Sequence, residues 1–137
     1  AKIRAMLRQI AELESIGDSC FNLARTMNRK NAGKEDFTDK QYERIGMMFD
    51  LANDALTQMN TIFAGRRDAL DANRSFNIEI EINNYRNQLR SQNIKDVNNH
   101  EYSYAVGTMY IDLINECEKL GDYVVNVIEA RLGVKQK

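Results

Sequence analysis

The chain has 137 residues, which fits one domain that buries roughly two-thirds of its unfolded surface. Its 19 lysines and arginines nearly balance its 20 aspartates and glutamates, so it lacks the basic excess of a general nucleic-acid binder. It contains no uninterrupted apolar run of the length a membrane span requires, and the absence of proline favours long unbroken helices.

The first helix is predicted from about residue 2 to residue 30, followed by a polar loop that contains Gly33. Its apolar residues recur in alternating steps of four and three, the spacing of one buried helical face. That predicted face comprises Met6, Ile10, Leu13, Gly17, Cys20, Ala24 and Met27.

The second helix is predicted over about residues 38–64 and has a complete start signal. Thr38 is the expected N-cap, Gln41 completes a capping box, and Phe37 and Tyr42 are placed to form a hydrophobic staple. Its predicted apolar face comprises Tyr42, Ile45, Phe49, Ala52, Leu56, Met59 and Phe63, widened by Met48 and Leu51. The signals at its end are Gly65, Arg66 and Arg67.

The third helix is predicted over about residues 68–93, although residues 76–83 alternate in polarity like a strand. A helix is favoured because a lone strand has no partner in this chain and because several apolar residues also fit a helical face. Those residues are Ile78, Ile82, Tyr85 and Leu89. Residues 94–98 are predicted to form a short turn.

The fourth helix is predicted over about residues 99–131, with Gly133 just beyond its end. Apolar residues occupy several of its faces, so it should be the most buried helix, whereas His100 near its start should be solvated. Its main predicted face comprises Val106, Tyr110, Ile114, Cys117, Gly121, Val124 and Ile128. Four helices with short links predict an all-α, antiparallel up-down four-helix bundle.

The two cysteines, Cys20 and Cys117, both fall on predicted apolar faces. They are interpreted as reduced core residues rather than as a disulfide. Two cysteines with a single histidine do not make a zinc site.

One stretch of sequence occurs twice, at an offset of 104 residues, in the first and fourth helices. In each copy an acid, a second acid and an amide stand four residues apart and so form one polar stripe on a helix. The first stripe is Glu14, Asp18 and Asn22, and the second is Glu118, Asp122 and Asn126. Glu12 and Glu116 project about 200° away from their neighbours two positions on, so they should matter less.

A glycine also recurs in the two copies, as Gly17 and Gly121. Two compatible interpretations stay open: the glycines allow close helix approach, or they leave room for the carboxylates and a bound ion. The acids themselves have two interpretations as well, a solvated polar face and a site for a hard cation such as magnesium, calcium, manganese or iron.

Enzymatic activity is not favoured by this sequence. A ferritin-like di-iron site needs Glu-x-x-His on two helices, and the chain has one histidine and no such motif. No Ser-His or Cys-His arrangement and no glycine-rich phosphate loop can be assembled either.

The twin stretches resemble the Glu-Arg-Ile-Gly-Asp-x-x-x-Asn-Ile signature of PhoU-like domains. That family is built of two similar three-helix units with the signature on the third helix of each. By this resemblance, residues 1–30 match the last helix of one unit, and residues 38–131 match a complete second unit. Ser15 and Lys119 stand where the family often has arginine.

The resemblance implies regulation of phosphate uptake and no catalysis. It implies that acidic pairs of the form Glu/Asp-x-x-x-Asp bind metal, often iron or zinc. The oxygen ligands themselves keep manganese and magnesium as candidates too. Glu118 with Asp122 and Glu14 with Asp18 have that form. Asp50 and Asp54 match it on the second helix and could face Glu118 and Asp122. The weaker candidates are Asp50, Asp54, Asn22 and Asn126.

The domain also occurs as the cytosolic tail of bacterial Na⁺/phosphate cotransporter-like proteins, and this chain is interpreted as such a tail at the cytoplasmic face of the inner membrane. The expected partner is the transmembrane part of that transporter or another phosphate-transport component, with a homo-oligomer also possible. Two alternatives stay open: a free-standing PhoU-type regulator, and a metal-free helical adaptor whose polar stripes bind a partner.

Overall fold

The computed structural model of the chain describes residues 2–65 and 69–133, with only the backbone of residues 69–71. These residues form four helices: α1 (Lys2–Ala32), α2 (Asp39–Phe63), α3 (Ala69–Asn98) and α4 (Tyr104–Leu132). No strand occurs among the residues described, so the predicted all-α fold is confirmed.

Contacts between residues show that three pairs of packed helices run antiparallel: α2 with α3, α3 with α4, and α1 with α4. Between α1 and α4, Arg8 pairs with Glu129 near one end and Arg29 pairs with Asp112 near the other. Helix α4 packs against each of the other three helices, and α2 also packs against α3. Helix α1 packs along its length on α4 and reaches α2 only at its end, where Lys30 Nζ donates to the Tyr42 hydroxyl at 2.7 Å. Among the described helices, the bundle is therefore a three-helix unit with α1 added to one side.

Helix α4 is the most buried helix, as the sequence predicts. All seven residues of its predicted face are buried, and Leu113, Leu120 and Val127 bury further faces. A helix with three neighbours must be apolar on most of its circumference, which explains this pattern. Gly133 caps its C-terminus in a left-handed conformation with φ of 73°.

The predicted buried face of α1 is wrong. Met6, Ile10, Leu13, Gly17, Cys20 and Ala24 are exposed, and only Met27 of that set packs against the core. The buried positions are instead Ile16 and Ser19, with Leu23 partly buried beside them. Because α1 packs along a single helix, it buries one narrow face and leaves most of the predicted apolar face exposed.

The start of α2 is confirmed in detail. The Thr38 hydroxyl accepts from the Gln41 backbone N–H at 3.2 Å, and the Gln41 side chain accepts from the Thr38 N–H at 2.9 Å. The rings of Phe37 and Tyr42 meet edge to face, with centroids 5.5 Å apart. Further along α2, the buried face is rotated relative to the predicted one. Met48 and Ala55 are buried, whereas Tyr42 and Phe49 of the predicted face are partly exposed.

The strand-like alternation at residues 76–83 lies within α3, so the choice of a helix is confirmed. Ile78, Ile82 and Leu89 are buried, whereas Ile80, which only an alternating strand would group with them, is exposed. The predicted turn at residues 94–98 is wrong, because α3 continues through it to Asn98.

The turn between α3 and α4 lies at residues 99–103 instead. His100 lies there with a positive φ of 59° and is exposed, in agreement with its predicted solvation. The Ser103 hydroxyl accepts from the Val106 backbone N–H, so α4 begins at Tyr104, five residues later than predicted.

Gly65, which marks the predicted end of α2, has a φ of 106° and follows the C-cap residue Ala64. The predicted basic end signal Arg66 and Arg67, and the predicted start of α3 at residue 68, lie outside the described residues. In the part of the chain that is described, none of the helices combines the length and the apolar character of a membrane span.

Candidate functional site

The two copies of the repeated stretch lie against each other across the α1–α4 interface. The Asn22 side-chain amide donates to Glu116 Oε1 at 2.7 Å, and the Asn126 amide donates to Glu12 Oε2 at 3.4 Å. In the repeat, Glu12 corresponds to Glu116 and Asn22 corresponds to Asn126. Each of these two hydrogen bonds is therefore the counterpart of the other. The repeat is therefore an approximate two-fold relation between two antiparallel helices.

This pairing changes the roles predicted for four residues. Glu12 and Glu116 were expected to matter less, yet they accept the hydrogen bonds of the two motif asparagines. Asn22 and Asn126 were candidate metal ligands, yet each binds a glutamate of the opposite copy. Sequence offsets alone could not find this pairing, since it needs the axial register of α1 against α4.

The acids of the first copy, Glu14 and Asp18, are exposed on the side of α1 that faces away from α4. Gly17 between them is open as well, since a methyl group added to it would have no heavy atom within 4 Å. Among the described residues no second helix covers this surface, so Glu14 and Asp18 have no partner element there.

The acids of the second copy, Glu118 and Asp122, are half-buried between α4 and α3. Burial of the carboxyl group, followed by repulsion from Glu118 and Glu79, raises the pKa of Asp122 to about 7. On the other side, Arg86 Nη2 lies 3.8 Å from Glu118 Oε1. Glu79 and Arg86, both on α3, therefore belong to this site although the repeat does not contain them.

Gly121 allows α3 to pack closely against α4 at this site. A Cβ atom at Gly121 would lie 3.1 Å from Ile82 Cδ1, closer than ordinary van der Waals contact. Close helix approach is thus the interpretation that Gly121 supports. Its twin Gly17 has no such neighbour in the described residues.

The third acidic pair, Asp50 and Asp54, is exposed on α2 and lines a groove of about 470 Å³ shared with α3. Glu81 and Tyr85 lie on its other wall, and α4 contributes no lining residue. The structure therefore does not bring Asp50 and Asp54 to Glu118 and Asp122.

The chemistry of these oxygen donors suits a hard cation, but their arrangement does not supply a ligand set. Among the side chains of residues 2–65 and 72–133, no three histidines, cysteines, aspartates or glutamates are grouped so that they could hold a metal ion. The Arg86 guanidinium next to Glu118 further opposes a second positive charge there. The described residues therefore do not fit a preformed metal centre.

A second feature, which the repeat does not predict, is a cleft of about 500 Å³ above α4, walled by α1 and α3. Five cationic and three anionic side chains line it. The cations are Arg25, Arg29, Arg86, Arg90 and Lys119. In the sequence, Arg25 and Arg29 are four residues apart, as are Arg86 and Arg90, so each pair lies on one side of its helix. Only the packing of α1 and α3 on α4 brings the two pairs to one cleft.

The chain matches no protein-family model, no curated protein sequence and no solved structure.

Proposed function

We propose that this chain is a PhoU-like regulatory domain of a Na⁺/phosphate cotransporter-type membrane protein and controls phosphate uptake through contact with the transmembrane part. The observation that carries the proposal is the reciprocal pairing of the two motif copies, Asn22 with Glu116 and Asn126 with Glu12. A signature that recurs on two symmetrically paired helices supports the resemblance to a family built of two related units.

A surface on α1 supports contact with a partner. It comprises Ile3, Met6, Leu7, Ile10, Leu13 and Phe21, all exposed, and is called the outer face of α1 below. Ile10 is 53% exposed, whereas its repeat equivalent Ile114 on α4 is fully buried. These apolar side chains recur on one face of the helix, and an exposed apolar face is typical of protein interaction sites. A regulator of this kind acts by binding two states of its partner with different affinity.

Metal-dependent regulation through Glu118 and Asp122 is a second proposal, and one observation favours it. Burial is the main cause of the raised pKa of Asp122, and repulsion from Glu118 and Glu79 adds to it; a bound cation would relieve that repulsion. Binding would require these side chains to rearrange, because they do not form a ligand group as they stand. The metal-free adaptor remains the alternative.

The main proposal is tested by phosphate uptake in bacterial cells that express the full-length gene product. Removal of residues 1–137 should change the rate or the phosphate dependence of uptake at equal amounts of transporter in the membrane. A double substitution on the outer face, Ile10→Ser with Phe21→Ser, should reproduce that change if the contact is made there. A matched control is Met47→Ser with Ile80→Ser, two exposed apolar residues on other helices.

Unchanged uptake after removal of the domain, with the transporter still reaching the membrane, would refute the regulatory proposal. A full-length gene product without a membrane part would instead favour the free-standing regulator. Melting temperatures of the purified domain on titration with manganese, iron, zinc and magnesium separate the two versions. The metal-dependent version predicts an increase that Asp122→Asn abolishes, whereas the metal-free adaptor predicts no increase with any metal.

A further inference from the structure

The cleft between α1 and α3 exists because both helices pack on α4 and not on each other. Their sides stand apart, α4 forms the floor, and the enclosed volume is about 500 Å³. Small-molecule sites in proteins commonly measure roughly 300–1,000 Å³. The cleft is therefore large enough for a small ligand of several heavy atoms.

The charge of the cleft selects an anion. Its eight charged lining residues leave a surplus of two positive charges, although the whole chain carries a net charge of −1. Arg86 and Arg90 are one helical turn apart on α3, so their side chains share a wall. Lys119 extends from the floor with its side chain 59% exposed. A doubly charged anion would balance the surplus.

The hydrogen-bonding capacity of the cleft is only partly used. Arg86 Nε is buried without a hydrogen-bond partner, and its Nη2 lies 3.8 Å from the Glu118 carboxylate, beyond hydrogen-bonding distance. Lys119 Nζ likewise lies 3.8 Å from Glu116 Oε2. Asn115 Oδ1 at the floor is buried and unpartnered too, and its amide can turn to offer a donor.

Arginine donors in this arrangement fit one ligand chemistry best. The planar guanidinium group makes paired hydrogen bonds to phosphate oxygens, and a phosphate dianion matches both the charge surplus and the unused donors. We propose that the cleft binds a phosphate group, held by Arg86 and Arg90 on the α3 wall and by Lys119 on the floor. The group is inorganic phosphate or the terminal phosphate of a small organic phosphate.

This site requires only the described geometry and does not depend on control of phosphate uptake. The chain could bind phosphate without regulating transport, or regulate transport without binding phosphate. The two proposals can therefore fail separately, because one is tested by direct binding and the other by uptake in cells.

Isothermal titration calorimetry at constant ionic strength and about pH 8, where phosphate is mainly dianionic, tests the site. Inorganic phosphate, diphosphate and ATP are titrated in turn, with sulfate as an anion of similar shape. Saturable binding of at least one phosphate compound is expected, and the preferred compound identifies the source of the group. Saturation that is equal for sulfate would overturn the phosphate assignment.

The double variant Arg90→Gln with Lys119→Gln should weaken binding at least about tenfold, since it removes two charged donors. Its control is Arg74→Gln with Lys95→Gln, which removes the same charge from exposed positions outside the cleft and should leave affinity nearly unchanged. Circular dichroism verifies that both variants keep their helices. Absence of saturable heat with every phosphate compound, or equal weakening in both variants, would overturn the proposal.

Discussion

The side-chain amide of Asn22 donates a hydrogen bond of 2.7 Å to Oε1 of Glu116, across the interface between α1 and α4. Glu116 is only 8% exposed, so its carboxylate depends on this donor and on Lys119, whose Nζ lies 3.8 Å away. Because the equivalent bond joins Asn126 to Glu12, the repeated sequence stabilises its own antiparallel pairing.

Substitution of Asn22 should therefore destabilise the bundle more than its partial exposure suggests. In Asn22→Ala the buried Glu116 carboxylate loses its neutral donor, which costs about 1–3 kcal/mol of unfolding free energy. Urea denaturation followed by circular dichroism measures the loss. Asn28→Ala, an exposed amide on the same helix, should change stability by less than about 0.5 kcal/mol. Equal effects of the two substitutions would mean that the Asn22–Glu116 bond contributes little.

Local signals in the sequence predict the helices well. The capping box of Thr38 and Gln41 and the C-terminal Gly133 are found as expected, because each depends on residues within a few positions of one another. The predicted start of α4 at residue 99 is too early, because α3 continues to Asn98 and the Ser103 hydroxyl supplies the N-cap of α4.

The candidate site is harder to predict, because the burial of its residues depends on how many other helices pack against each helix. The repeat gives α1 and α4 the same acids at the same spacing, but α1 packs along one helix and α4 packs against three. Thus Asp122 is half-buried beside Glu79 of α3, while its twin Asp18 is exposed. No feature of the repeat itself distinguishes the two environments.

The twin glycines should respond differently to alanine. Gly17→Ala should stabilise the protein by up to about 1 kcal/mol, because alanine favours helix and nothing lies within 4 Å of the added methyl group. In Gly121→Ala the new methyl group would lie 3.1 Å from Ile82 Cδ1, so strain offsets that gain. Melting temperatures of the two variants measure the difference, and an equal increase in both would contradict close packing at Gly121.

The two cysteines should differ in reactivity. Cys117 is fully buried, and burial, with smaller contributions from Glu116 and Cys20, raises the pKa of its thiol to about 12. Cys20 is exposed, which corrects its predicted place in the core. A thiol reagent should therefore modify Cys20 in the native protein and reach Cys117 only after denaturation.

Mass spectrometry after brief labelling of the native protein identifies the modified cysteine. The variant Cys20→Ser should take up no label until urea is added, whereas Cys117→Ser should label like the parent chain. Rapid native labelling of Cys117 would show that α4 is less enclosed than its packing indicates.

Stability should depend on pH through Asp122, whose pKa is raised from 3.8 to about 7 by burial and by its neighbours Glu118 and Glu79. Between these two values the folded protein holds a proton that the unfolded chain has released. The free energy of unfolding therefore falls as pH rises from about 4 to about 7 and stays low above that range. Ionised Asp122 is thus a destabilising group at neutral pH.

The variant Asp122→Asn removes this cost. Because Asp122 is only half-buried and water screens its charge, the variant should exceed the parent by about 1–2 kcal/mol in unfolding free energy near pH 8. The advantage should shrink toward pH 4, where the parent carboxyl is protonated as well. Urea denaturation at a series of pH values, in the presence of a chelator, measures the unfolding free energy of the parent and the variant. The control is Asp54→Asn, at an exposed position of α2, which should keep the pH dependence of the parent. A parent-like slope in Asp122→Asn would assign the pH dependence to another group and remove Asp122 from the acidic site.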